Sequence, residues 1–448
     1  MPSHQPNASI SRRHALQGLG AASLVSAFGT ALASGSELPH APANDAAAAP
    51  FHPSDWNSVR AQFLIDRSWV HMSGLLFASH PAPVRASIEA LRRRFDANPT
   101  ATVHEEMPQA EEATRSALAD YFGVDAADLA LTDSTTMGLG LLYGGLKLNP
   151  GDEVLTSEHD HYSTHSSLEG ACARSGAKLT KVRLYERGQD FNTEAATTAL
   201  AAAITPNTRA VALTWVHSST GVRLPLPAFA AVIAKANAGR DANQRILFCV
   251  DGVHGTGVED VHIPDLGCDF FVAGTHKWLF GPRGTGILWG RPSAQSRVVA
   301  IIPSFSALRQ SSTWGRHMTP GGFHTYEYRW SVGAASRFHQ TIGKQRVQQR
   351  IHALASQMKE GLANIKGLVL HTPKAPELSA GLVCFEIDGL QPTAIVEALA
   401  KRRIIASTTP YAVSYARVTP SLLNDPADVV HTIQALTQIA RGRRSAAL

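Results

Sequence analysis

Short, largely apolar runs recur along the middle of this 448-residue chain with helical stretches between them, at 153–156, 178–184, 210–216, 246–250, 270–273 and 286–289. Runs with little polar alternation belong to strands covered on both faces. Strands of that kind separated by helices predict an α/β fold, a mostly parallel sheet sandwiched by helices. That class carries a positional rule: ligands collect outside the carboxyl ends of the strands. Polar residues directly after each run are therefore the place to look for function.

The flanks complete the organisation. Residues 84–95 have helical periodicity with basic residues outward, and a second helix is expected near 107–121, closed by Phe122-Gly123. From about 342 a long helical pattern leads to a strand-like run at 381–387 and then a helix-strand-helix series, which predicts a smaller C-terminal α+β domain. At the other end, Ser11-Arg12-Arg13 precedes an uncharged run that closes with Ala31-Leu32-Ala33. This has the layout of a secretory signal and resembles a twin-arginine signal, which serves proteins that fold before export. The expected organisation is a twin-arginine signal peptide at 1–33, a linker at 34–50, an N-terminal segment with the large domain at 51–341, and a small domain at 342–448. The expected location is periplasmic or secreted, by way of the twin-arginine export machinery.

Composition removes several alternatives. The formal charge is only +5, and Arg12 and Arg13 supply two of those charges, so neither nucleic acid nor an anionic membrane is expected as main partner. Cys172, Cys249, Cys268 and Cys384 show no CxxC spacing, which argues against a disulfide scaffold or a thiolate zinc site. Beyond the leader no run is long and apolar enough for a stable membrane anchor.

Four clusters follow the runs. Ser134, Thr135 and Thr136 open a helical stretch; such hydroxyls are ordinary helix caps, and with the free N–H groups beside them they also suit a phosphate. Glu158-His159-Asp160-His161 follows the run at 153–156, and its spacing matches no standard metal set. Asp251-Gly252-Val253-His254 follows 246–250, where a carboxylate alone is most often an N-cap. Thr275-His276-Lys277-Trp278 follows 270–273, and a lysine in a partly desolvated cleft can lose its proton and bond a carbonyl as a Schiff base. A phosphate anchor, a Schiff-base lysine, a carboxylate and a flat imidazole are together what pyridoxal 5'-phosphate requires.

In this order the motifs resemble the class V aminotransferase family of pyridoxal-phosphate enzymes, on the isopenicillin N epimerase-like and cysteine desulfurase-like branch, from about residue 51 to the C-terminus. The resemblance implies fold type I and a homodimer. It implies Lys277 as the cofactor-bearing lysine and Asp251 as the partner of the pyridine nitrogen. Ser218 and His254 fall near the phenolic oxygen, while Ser134, Thr135, Thr136 and His276 fall at the phosphate. His159 matches the imidazole stacked on the ring, with His161 its rival. Arg417 matches the arginine that binds a substrate's α-carboxylate; otherwise it is a solvated strand-end arginine. Thr325 is a candidate contact to a neighbouring subunit's phosphate.

Desulfurases of this kind carry a loop cysteine shortly before that arginine, yet 405–416 contains none, and Cys384 reads as a core thiol. The expected activity is therefore at the α-carbon of a small amino-acid substrate, of epimerase or aminotransferase type. The alternative is a C–S lyase on a sulfur-containing amino acid. Tyr411, Tyr415 and His324 are candidate second proton donors. A reading from another class is an exported α/β binding protein without such chemistry.

Overall fold

The computed structural model describes residues 50–305 and 312–446. The expected signal peptide and, apart from Pro50, the linker lie outside these residues. The described chain begins with a short helix, Trp56–Ala61, whose cap Asp55 accepts hydrogen bonds from the N–H groups of Asn57 and Ser58. A two-residue strand, Val70–His71 (β1), follows, and then helices Ala82–Ala97 and Pro99–Phe122. The second helix starts earlier than its sequence predicts because it carries Pro108 in its interior, a residue that normally marks a first turn. It ends where expected, with Gly123 in the left-handed conformation at φ 67°.

The main sheet has seven strands: Leu129–Thr132 (β2), Glu153–Ser157 (β3), Lys178–Val182 (β4), Thr208–Thr214 (β5), Leu247–Asp251 (β6), Phe270–Gly274 (β7) and Gly286–Gly290 (β8). Their order is β2-β8-β7-β6-β5-β3-β4, and β8 alone runs against its neighbours. The apolar runs have a direct cause. Val211, Leu213, Phe248, Val250 and Phe271 face one core, while Ala210, Ala212, Leu247, Cys249 and Phe270 face a second core on the other side. Burial on both faces leaves no position for polar alternation. Strand β2 escapes the sequence reading because its four residues directly precede the polar cluster that opens the next helix.

A smaller antiparallel sheet follows, built from Leu368–Leu370 (β9), Val383–Ile387 (β10), Ser407–Thr408 (β12) and Ala416–Val418 (β13), in the order β12-β13-β10-β9. Between β10 and β12 lies Ile404–Ile405 (β11), which pairs in parallel with β1. The N-terminal segment is thus stitched onto the C-terminal part of the chain, and Met72 lies in the core under the small sheet with Leu354, Phe385 and Leu436. Helix Lys344–Ala363 joins the cores: Val347 and Ile351 pack into the large one, Leu354 and Met358 into the small one. Among the described residues no helix is long and apolar enough to cross a membrane.

Candidate active site

The sheet order reverses between β3 and β5, because β4 lies outside β3 and the chain then returns to add β5, β6 and β7 on the other side. Such a switch leaves a crevice at the carboxyl ends of the strands. A cavity of about 180 Å³ opens there. It is lined by Ser134, Thr135, Thr136, Ser218, Asp251, His254, His276, Lys277 and Arg417, whereas the other candidates His159, Thr325, His324, Tyr411 and Tyr415 are not on its wall. Leu75 and Leu76 reach it as well, brought in by the pairing of β1 with β11.

Ser134 caps helix Thr135–Gly145, accepting from the Met137 N–H at 3.1 Å, and the Thr135 hydroxyl accepts from the Gly274 N–H at 2.8 Å. This locks the helix N-terminus to the end of β7. A side chain at Gly274 would meet the His276 ring and the Thr135 hydroxyl at 3.0 Å, so the backbone here forms a cradle. Asp251 is buried, and its carboxylate accepts from the Val253 N–H at 3.1 Å. Burial pushes its pKa up, against the Val253 N–H and Lys277, which pull it down. Burial pushes the Lys277 amine down, opposed by Asp251. The amine lies 3.3 Å from Nε2 of His254.

Arg417 comes from β13 and is 1% exposed. Its guanidinium donates to the Ser407 hydroxyl at 3.1 Å and to the carbonyls of Ser218 and Thr408 at 2.9 and 3.3 Å. Among the described residues no carboxylate pairs with it. The solvated strand-end alternative is thereby set aside, since Arg417 is buried and turned into the cavity. Ser218 accepts Arg417 on its carbonyl while its hydroxyl shares a 2.7 Å hydrogen bond with Tyr411.

The two histidines after β3 part company. His161, not His159, stands on the cavity wall. The His159 ring lies flat on Tyr185, with centroids 3.6 Å apart and planes 4° apart, and burial pushes its pKa down to about 3. The cause is Asp160 between them. Its buried carboxylate accepts from the Thr156 hydroxyl and the N–H groups of Ser157 and Thr214, which turns the intervening residue into the sheet and sends its neighbours apart. His161 accepts on Nδ1 from the Ser163 N–H, and burial, then the charges of Lys277 and Arg417, hold it near a pKa of about 4. Tyr411 meets the His161 ring edge-on at 6.0 Å.

Other candidates lie off the cavity wall. Thr325 starts helix Tyr326–Arg329, its carbonyl accepting from the N–H groups of Tyr328 and Arg329. His324 sits 3.5 Å from Asp133, which also pairs with Arg329 at 3.0 Å. A contact missed in the sequence runs behind Lys277: the Trp278 indole donates to Nδ1 of His254 at 3.2 Å. Only the place of Trp278 in the lysine motif hints at it. All four cysteines are buried and none lines the cavity.

The donor set fits pyridoxal phosphate. A helix N-terminus with three hydroxyls would hold the phosphate, aided by His276, whose buried Nδ1 has no hydrogen-bond partner among the described residues. Lys277 would carry the aldehyde, Asp251 would face the ring nitrogen, and His161 would cover a ring face.

Known proteins agree. The aminotransferase class-V family model matches residues 78–418. A probable cysteine desulfurase from Xylella fastidiosa (strain Temecula1) is 28% identical over 366 residues, 77% of this chain and 83% of its own. The isopenicillin N epimerase of Streptomyces clavuligerus is 27% identical over 359 residues, 75% of this chain and 85% of its own. Among solved structures, the cystine C–S lyase C-DES with its product cysteine persulfide has a TM-score of 0.76 at 23% identity, covering 83% of this chain and 98% of that one. The apo cysteine desulfurase of Thermococcus onnurineus NA1 has a TM-score of 0.74 at 19% identity, covering 86% and 98%. These two share the fold, fold type I. Strand-end motifs, one cavity that gathers them and a family match across most of the chain lead to the same place: this protein belongs to the aminotransferase class-V family of pyridoxal-phosphate enzymes.

Proposed function

We propose that the enzyme acts at the α-carbon of a small amino acid whose carboxylate is held by Arg417, in an epimerase or aminotransferase reaction. The observation that carries this is a buried guanidinium with no carboxylate partner among the described residues, facing the same cavity as Lys277. When bound, pyridoxal phosphate supplies an aldehyde for attachment of an amine and a ring that draws electrons from the neighbouring carbon. Lys277 would have two duties: to attach the cofactor and, as a free amine, to take the α-proton on Nζ. Burial lowers its proton affinity and so suits it to the second. Asp251 holds a proton on the ring nitrogen as its carboxylate partner. Arg417 fixes the carboxylate through a planar fork and so sets which face of the α-carbon meets Lys277. His161 and Tyr411, on the cavity wall and against it, are the groups placed to return a proton elsewhere.

A second reading is a C–S lyase on a sulfur amino acid, supported by the names of the relatives. The cysteine-free stretch 405–416 and the burial of all four cysteines favour a lyase that releases its sulfur product over one that stores it on an enzyme thiol. Incubation of the holoenzyme with amino acids in heavy water separates the outcomes. Racemised, deuterated substrate supports an epimerase, a keto acid formed only with an amino acceptor an aminotransferase, and pyruvate or a sulfur product the lyase. No exchange of the α-proton in any amino acid refutes all three.

Two further parts of the reading concern assembly and place. A homodimer is supported by large apolar side chains left in water: Phe77 beside His276, and the Phe305–Phe323 pair. Sedimentation at micromolar concentration tests it, and a monomer overturns it. Export by the twin-arginine route is supported by Arg12-Arg13 and the run that follows. Replacing both arginines with lysine should retain the protein in the cytoplasm.

A further inference from the structure

We propose that Trp278 is a positioning residue for Lys277: its indole N–H fixes the neutral His254 imidazole in the tautomer whose Nε2 hydrogen points at the lysine nitrogen. The inference rests on the reading of Lys277 as the cofactor-bearing amine. It begins with an inventory of hydrogens. An indole nitrogen only donates, so Nδ1 of His254, 3.2 Å from Trp278 Nε1, must present a lone pair. A neutral imidazole has one N–H, which is then on Nε2, 3.3 Å from Nζ of Lys277.

This tautomer has a consequence for the lysine. A free amine can accept from Nε2–H, whereas an ammonium would set its own hydrogens against it. His254 therefore disfavours a proton on the lysine nitrogen, in the same direction as burial. The groups facing this pair come from every wall: Asp251 from β6, His276 beside Lys277, His161 from the segment after β3, and Arg417 from β13. Burial, then Lys277 and Arg417, hold His254 well below its ordinary pKa, so the imidazole is neutral.

Trp278 is itself fixed by packing. It is 2% exposed, and a side chain at Gly381 would lie 2.5 Å from its ring edge. The glycine ahead of β10 thus sets the depth of the indole, and the indole sets the imidazole. The large core, where it meets Gly381, bears on Lys277 through two hydrogen bonds.

The test uses the holoenzyme labelled with ¹⁵N-histidine, with His254 assigned by the signal lost in His254→Gln. Wild type should show His254 as a single neutral tautomer protonated on Nε2. A wild-type signal protonated on Nδ1, or on both nitrogens at neutral pH, overturns the proposal without any variant. Trp278→Phe keeps the ring and removes the donor. It should release a mixture of tautomers, and because Nε2 can then accept, the midpoint of the visible-absorbance pH titration should rise by roughly half to one unit. An unchanged tautomer and an unmoved midpoint in Trp278→Phe overturn the proposal. A wild type that acquires no visible band with added cofactor overturns the reading of Lys277 instead, and the tautomer measurement still decides the Trp278–His254 part.

Discussion

Lys359 and Lys277 both carry an amine that burial pushes down, and they are built differently. Lys359, on helix Lys344–Ala363, is 2% exposed, and its amine donates to the carbonyls of Pro373 and Lys374 and to the Ser379 hydroxyl at 3.0, 2.8 and 2.6 Å. Three hydrogens meet three acceptors. Among the described residues the Lys277 amine has a single hydrogen-bond partner, His254, which turns a hydrogen toward it. Burial pushes both amines down, Lys359 to about 8. A depressed pKa is thus common to a structural lysine and a reactive one. What separates them is an unfilled hydrogen-bond shell facing a cavity.

The sharpest break in this comparison is to delete each amine. Lys277→Ala should abolish the visible band of the reconstituted protein and its activity while the thermal midpoint of the apoprotein stays close to wild type. Lys359→Ala should do the reverse, keeping the band and losing about 2–4 kcal/mol of stability in urea, because it leaves buried carbonyls unpaired. A lost band in Lys359→Ala, or a retained one in Lys277→Ala, would remove the distinction.

Asp251 gives the next largest effect. Asp251→Asn keeps the shape at the end of β6 and removes the charge that favours a proton on the ring nitrogen. Attachment to Lys277 does not need that charge, so the band should persist while kcat falls about 10²–10⁴-fold. Loss of the band together with kcat would mean that Asp251 holds the lysine in place rather than the ring.

Lys359 also carries a pH signature that sharpens the contrast. Its folded value of about 8 lies below the ordinary 10.5, so between these pH values the unfolded chain binds the extra proton. Stability contributed by this group therefore rises with pH across that window. Lys359→Met lacks the rise, and its deficit relative to wild type should widen by on the order of 3 kcal/mol between pH 8 and pH 10.5. Urea unfolding at the two ends of the window measures it; a constant deficit would show that the amine is not desolvated.

Most of the scaffold was legible because the parallel strands are buried on both faces and leave uninterrupted apolar runs. The lysine, the aspartate and the helix cap were legible because strand ends position them locally. What escaped depends on contacts distant in sequence. Nothing near Val70 and His71 announces a partner at Ile404 and Ile405. The choice between His159 and His161 turns on Asp160, whose carboxylate reaches across to the N–H of Thr214. The role of Trp278 needs the distance to His254, which no spacing encodes. Pro108, by contrast, misled locally: a usual first-turn residue sits inside a 24-residue helix.

Arg417 stands between the two lysines and gives the smallest expected effect. Like Lys359 it donates to neutral oxygens in its surroundings, and like Lys277 it faces the cavity. Burial pulls its pKa down, yet a guanidinium stays charged, so the site holds a cation that the protein does not neutralise. Arg417→Lys keeps that charge and loses the planar fork. The ammonium can still attract a carboxylate, but without two parallel hydrogen bonds to orient it. KM for the amino acid should rise about tenfold with kcat less affected, whereas Arg417→Met should raise it further and abolish the preference for a free carboxylate over its amide. An unchanged ratio of carboxylate to amide in Arg417→Met would place Arg417 with Lys359, as a residue that holds the fold rather than the substrate.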